Sequence, residues 1–362
     1  MQVAAKGIKR VTGRILVDVS LFPEGERELG TGVVISPIMV NDNIVDLTIG
    51  AGPQSGAPTT VQVTPTSPYV KFVNKSTTAA TGTQPTITWA SDVIDPDGAH
   101  TVTISGTFPA DKQPILFKYV VPEPSRFAEV VFADALRAQG VTVNLATAAA
   151  QHEYRGTPAA YTAGNVVAEH VSPPFTEEVK VTLKVSQNLH ASATPYIVKS
   201  VLARSDSVKT GFDLERDFLQ HAGLDLGGAQ QSDGAGGDAR FSPNFMVHYL
   251  EYMSKQSNFD AFFRALPVLG KEGTLWNVQT TSPAAGHVFA KTGTLASYDA
   301  LNNKLLVSGK GLAGYLTTPS GKRYAMAIYV NNVAVSLNPE EVTRIVGQTL
   351  GEIAGIGYQT LP

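Results

Sequence analysis

Cysteine is absent from the 362 residues, which removes disulfides, thiolate metal sites and cysteine nucleophiles together and leaves the redox compartment open. No stretch approaches the roughly 18 consecutive apolar residues of a membrane-spanning helix, and residues 1–10 lack the roughly 7–15 apolar residues of a secretory signal. No run of lysine and arginine offsets the formal charge of -3, so the footprint of a nucleic-acid binder is missing. The seven histidines show no His-Glu-x-x-His and no paired ligand spacing, and no Gly-x-Ser-x-Gly elbow occurs. Neither a metal nor an organic cofactor is implied.

What is present is a chain with 43% hydrophobic and 16% charged residues, enough to bury a large core in two or three domains. From residue 13 to 121 short alternating runs such as Val61-Gln62-Val63-Thr64 and Thr86-Ile87-Thr88-Trp89 predict strands. Asp95-Pro96-Asp97-Gly98 predicts a hairpin turn, because proline presets φ and glycine accepts a positive one. After Pro122-Glu123-Pro124 the period changes. Phe127, Val130, Val131, Ala135 and Leu136 recur at helical spacing until Gly140, predicting a helix of about four turns.

Further helices are expected to open at Thr176 ahead of Glu177-Glu178, at Ser242-Pro243 and at Asn338-Pro339-Glu340-Glu341, each with a polar N-cap. Residues 287–294, 304–308, 312–317 and 323–330 read as strands, with Pro319-Ser320-Gly321 closing the final hairpin. Residues 4–9 read as the tail of a helix leading into a strand at 14–19. A β-rich first third followed by mixed helices and strands predicts an α+β architecture with a separate β module.

Two short motifs can carry chemistry. Lys291-Thr292-Gly293-Thr294 follows the apolar run Val288-Phe289-Ala290 and is expected on a strand. There a lysine adds positive charge beside a substrate, glycine lets the backbone approach, and the two hydroxyls can hydrogen-bond a carboxylate. Ser186-Gln187-Asn188 follows the helix that starts near Thr176. Its hydroxyl can relay a proton and its amide can donate to a carbonyl. Alone, the first reads as a strand end with a turn and the second as a polar helix break. Gly309-Lys310-Gly311-Leu312-Ala313-Gly314 matches a dinucleotide fingerprint but sits in a strand-turn-strand context with no following helix. His190 and His287 are read as structural.

Ser-x-Asn followed by Lys-Thr-Gly is the second and third signature of the penicillin-recognising serine enzymes, whose first is Ser-x-x-Lys. The similarity runs further. Ser172-Pro173-Pro174, Asp233-Gly234-Ala235-Gly236 with Ser242-Pro243, Leu266-Pro267, and Leu312-Ala313-Gly314-Tyr315-Leu316 resemble, in order, segments of the D-alanyl-D-alanine carboxypeptidase family that contains penicillin-binding protein 4. So do Val330-Asn331-Asn332 and, upstream, Gly7-Ile8-Lys9-Arg10 and Asn41-Asp42-Asn43.

That resemblance implies a penicillin-binding transpeptidase-like (β-lactamase-like) α+β domain at residues 142–362, inserted β-rich domains at 13–141, and in 1–12 the end of a truncated catalytic segment. It implies a serine-type carboxypeptidase that removes the terminal D-alanine of peptidoglycan stem peptides, in a family often with endopeptidase action on cross-links, that takes β-lactams as inhibitors and works in a periplasmic or extracytoplasmic space. Ser186 would relay the proton to the leaving amine, Asn188 hold the substrate carbonyl and Lys291 stabilise the ionic intermediate, while Thr292, Gly293 and Thr294 bind the substrate's free carboxylate end.

Three departures stand out. No serine is followed three places later by lysine, so the nucleophile is missing, a loss that costs on the order of 10⁶ in turnover. Ala235 replaces a serine of the family's Asp-Gly-Ser-Gly segment. Ser205-Asp206-Ser207 mimics Ser-Asp-Asn but lies too far beyond Ser172. The alternatives are a non-catalytic peptidoglycan-binding protein, or a β-lactamase-like esterase, which would lack the inserted modules.

Overall fold

The structure, a computed structural model, describes residues 1–144, 161–205, 207–237, 239–336, 338 and 341–362. The chain forms two compact units, Met1–Val171 and Ser172–Pro362.

The first unit opens with a single helical turn α1 (Gln2–Ala5) and a short strand β1 (Arg10–Val11). Its body holds β2 (Ile44–Gly50), β3 (Thr60–Thr64), β4 (Val70–Asn74), β5 (Thr77–Ala79), β6 (Thr88–Ile94), β7 (His100–Ser105), β8 (Thr107–Pro109) and β9 (Ile115–Val120). Helix α2 (Pro124–Ala138) and β10 (Thr142–Val143) follow. Sheets form in the orders β3-β2-β9 and β4-β7-β6, with β5 parallel to β8 and β1 parallel to β10.

Alternation builds the core. Val45, Leu47 and Ile49 of β2 and Val102 and Ile104 of β7 turn inward against Tyr69, Phe108 and Phe127 of α2. The inward register of β7 also buries His100, whose Nδ1 lies 2.7 Å from Asp92 and whose Nε2 lies 3.9 Å from Glu123. Asp95-Pro96-Asp97-Gly98 makes the expected hairpin between β6 and β7, with Gly98 at φ 79°. The expected strand at 14–19 does not form. The extended pairing instead falls at Arg10–Val11, where Val3, Ile8, Val11 and Ile15 pack on Ala133, Leu136, Val141 and Val143.

The second unit contains α3 (Phe175–Val185), α4 (Asn188–Leu202), α5 (Gly211–His221), β11 (Ala229–Gln230), β12 (Arg240–Phe241), α6 (Pro243–Met253) and α7 (Phe259–Ala265). Then come β13 (Val288–Asp299), β14 (Lys304–Thr317), β15 (Arg323–Val330), β16 (Val333–Val335) and α8 (Gln348–Thr360). The antiparallel sheet runs β13-β14-β15, with β16 also on β14. One face packs Val288, Ala290, Leu312 and Leu316 on Leu350 and Ala354 of α8. The other packs Phe289 and Tyr315 on Leu250 of α6 and Phe263 of α7. This alternation sends successive β13 side chains to opposite faces.

Some boundaries differ from the sequence expectation. Helix α3 starts at Phe175 with Pro174 as its N-cap, so Thr176 already lies inside it. Ser242 does cap α6, its Oγ accepting from Phe245 N–H at 3.1 Å. Pro339 and Glu340 lie outside the described residues, and α8 is preceded by a π-helical turn, Val342–Gly347. Residues 304–308 and 312–317 are one strand of 14 residues. Gly309-Lys310-Gly311 stays extended because Lys310 pairs with Thr294 on one side and Val330 on the other. A Cβ on Gly311 would lie 2.8 Å from the Tyr329 ring, so the glycine serves close packing rather than a turn.

Candidate functional site

The site begins at a helix end. Ser186 closes α3 in the left-handed conformation, φ 61° and ψ 53°, which usually costs a non-glycine residue about 1–2 kcal/mol. The chain then turns directly into α4, whose N-cap Gln187 accepts from Leu189 N–H at 3.2 Å and whose first residue is Asn188. The short Ser-x-Asn run is therefore both a helix break and the device that fixes the direction of the Ser186 hydroxyl.

Strand β13 supplies the opposing groups. Lys291 Nζ donates to Ser186 Oγ at 2.7 Å and to the Thr292 carbonyl at 2.6 Å. Burial, and secondarily the positive charge of Lys310, push the Lys291 ammonium down to about 8. Thr292 Oγ1 lies 2.8 Å from Thr274 Oγ1, and Lys310 Nζ donates to Thr294 Oγ1 at 2.8 Å. Burial lowers the Lys310 ammonium as well.

The loop bearing Thr274 is held against the end of α3. Buried Lys184 donates to the Leu266 carbonyl at 2.6 Å and pairs with Glu272. Gly273, at φ +66°, comes so near that a Cβ would lie 2.7 Å from the Lys184 carbonyl oxygen.

These side chains line a cavity of about 790 Å³ that includes Ser186, Thr274, Trp276, Thr292, Thr294 and Lys310. Trp276 is 64% exposed and offers an aromatic wall. β13 is an edge strand of its sheet. Ala290 N–H donates outward to the Pro267 carbonyl at 2.9 Å, and by two-residue alternation the main-chain groups of Thr292 and Thr294 face the same edge. Such an edge can accept an extended peptide.

Of the sequence-selected residues, Ser186, Lys291, Thr292 and Thr294 converge. Gly293 lies between the threonines with open space at its Cβ position. Asn188 is half-buried at the start of α4 and is not among the side chains lining the cavity. Lys310, Thr274 and Trp276 escaped the sequence reading. Lys310 lay inside the glycine-flanked run set aside as a chance fingerprint, and only strand register brings it opposite Thr294. Ser205 and Ser207 hydrogen-bond each other, and Asp206 lies outside the described residues. His190 pairs with Glu178 and the His287 ring packs on Tyr358, 5.0 Å between centroids.

The arrangement is a hydroxyl held by an ammonium whose proton affinity burial has lowered, beside two further hydroxyls and a second ammonium at an open strand edge. Such groups can move a proton between ligand and lysine and stabilise a bound anion.

The D-Ala-D-Ala carboxypeptidase 3 (S13) family matches residues 1–349. The chain is 27% identical to a D-alanyl-D-alanine carboxypeptidase of Actinomadura sp. (strain R39) over 98% of its own length and 66% of that protein. It is 23% identical to the D-alanyl-D-alanine carboxypeptidase DacB of Haemophilus influenzae over 90% of this chain and 66% of the relative. The chain thus spans just under two thirds of these curated relatives. The crystal structure of penicillin-binding protein 4 (dacB) from Haemophilus influenzae superposes with a TM-score of 0.73 at 20% identity, covering 99% of this chain and 77% of that one. The expected α+β, penicillin-binding transpeptidase-like fold is therefore the observed one.

Proposed function

Because the chain belongs to the D-Ala-D-Ala carboxypeptidase 3 (S13) family, we propose that its second unit is the Ser-x-Asn and Lys-Thr-Gly half of a serine-type D-Ala-D-Ala carboxypeptidase site. The observation that carries this reading is the 2.7 Å contact of Lys291 Nζ with Ser186 Oγ beside the Thr292 and Thr294 hydroxyls. A stem peptide would lie along the open edge of β13, its terminal D-alanine directed toward Thr292, Gly293 and Thr294.

Ser186 and Lys291 supply the proton path. With the Lys291 ammonium held near 8, proton exchange with a leaving amine through Ser186 is nearly balanced at neutral pH. Asn188, at the head of α4, is assigned the substrate carbonyl. Endopeptidase action on cross-links, inhibition by β-lactams and an extracytoplasmic location belong to the same reading. A β-lactam occupies the Haemophilus influenzae penicillin-binding protein 4 in one of its crystal structures.

The absence of any Ser-x-x-Lys favours a second reading, in which the unit binds such peptides without cleaving them. Calorimetric titration of the protein with N-acylated peptides ending in D-Ala-D-Ala or L-Ala-L-Ala tests both. Selective binding of the D,D form supports the proposal, and product release separates hydrolysis from binding alone. Equal or no binding of the two would overturn it. Intact mass after incubation with excess penicillin is expected to show no adduct, since the acylated serine of the motif is missing.

A further inference from the structure

Lys310 forms no ion pair among the described residues. The residue is only 8% exposed, yet it lines the cavity. The stem passes over Gly347 of the π-helical turn, where an added Cβ would lie 3.3 Å from Lys310 Cε. Among the described residues no carboxylate pairs with it. The single acid among the described lining residues, Glu341, is already tied to Arg344 by hydrogen bonds of 2.6 and 2.5 Å. What Lys310 does have is Thr294, directly opposite on β13 and joined to its ammonium at 2.8 Å. Lys310 lines the cavity, and the Lys291 ammonium, hydrogen-bonded to the cavity-lining Ser186, lies near enough for the positive charge of Lys310 to act on it. Burying like charges is costly, and an anion between them would relieve both.

We propose that Lys310, delivered from the neighbouring strand to the Thr294 hydroxyl, is the cationic contact for the terminal carboxylate of the D,D-peptide, and with Thr294 sets the preference for a free C-terminus. This rests on the carboxypeptidase reading above. It adds a specificity-determining residue that lies outside both sequence motifs. A peptide with an amidated C-terminus has no charge for Lys310 to meet and leaves the ammonium pair unrelieved.

The test uses N,N-diacetyl-L-lysyl-D-alanyl-D-alanine and its C-terminal amide, titrated calorimetrically into the protein and into Lys310→Gln and Lys310→Arg. The protein should prefer the acid. Lys310→Gln should lose about 10- to 100-fold in affinity for the acid, the value of one charge-assisted contact, with the amide's affinity little changed. Lys310→Arg should recover most of the loss. If Lys310→Gln keeps the acid preference, the proposal is wrong while the carboxypeptidase reading survives. If the protein binds neither peptide, both are wrong.

A measurement on the unaltered protein guards against a variant that does not fold. With lysine ¹³C-labelled, the acid peptide should raise the titration midpoint of Lys310 and the amide should not. Acid binding that leaves the Lys310 resonance unmoved would also overturn the proposal.

Discussion

Replacing Ser186 by glycine should make the second unit more stable than replacing it by alanine. Both substitutions remove the hydroxyl and leave Lys291, among the described residues, with the Thr292 carbonyl, so that loss is common to the two variants. They differ only in a Cβ on a residue at φ 61°. The left-handed conformation disfavours alanine by about 1–2 kcal/mol, and the greater freedom of glycine in the unfolded chain returns about 0.4–1 kcal/mol of that. The expected difference is about 1 kcal/mol in favour of glycine, or about 2–4 °C in a domain of this size. Urea denaturation followed by circular dichroism measures it. Alanine equal to or more stable than glycine would refute the claim that position 186 holds backbone strain. If the difference appears together with loss of peptide binding in both variants, position 186 carries backbone strain together with a hydroxyl that binding needs.

Two further outcomes follow from titrating groups. The Lys291 ammonium is held near 8 against an ordinary 10.5, so the unfolded chain binds more protons between these values and stability should rise with pH across that window, by at most about 3 kcal/mol. Subtracting the urea midpoints of Lys291→Met from those of the protein at pH 8 and pH 10 isolates this term, and a flat difference would contradict it. In the first unit, the Glu123 and Asp92 carboxylates raise the His100 imidazolium above its usual value. Its stabilisation is full below pH about 6.5 and is lost as pH rises through the raised value. Lys-to-neutral changes leave this untouched, whereas His100→Gln should abolish that pH dependence in thermal melts.

The parts of the fold that were legible in the sequence are those where one local rule dominates. The two-residue alternation of β2 and β7, the turn at Gly98 and the helical spacing of α2 needed no tertiary information. Strand β14 was misread because Gly309 and Gly311 look like punctuation in one dimension. Their reason is the ring of Tyr329 and the pairing of Lys310 on both sides, which only the assembled sheet supplies. The start of α3 was misplaced because Pro174, with no side-chain oxygen, serves as the cap. At the site, Ser186 and Lys291 were legible as motifs, but the bond between them spans 105 residues of sequence. Lys310 carried no signal because an isolated lysine between glycines has many ordinary uses.

Occupancy and proton affinity of this cavity must be coupled. Lys310 helps to depress Lys291, so any anion that meets Lys310 weakens that repulsion and raises the Lys291 ammonium from about 8. Linkage then requires the reverse: raising the pH above about 8 removes protons that the bound complex retains, so affinity for a free-acid peptide should decline, by up to about tenfold per pH unit for each proton taken up. The amide should lack this decline. Titration of both peptides from pH 6 to pH 10 checks it, and an acid affinity independent of pH would mean that the bound carboxylate meets neither lysine. The same coupling gives the site a chemical logic. Above pH about 8, where Lys291 is partly deprotonated, a ligand that brings a terminal carboxylate should restore its proton, and an amidated ligand should not.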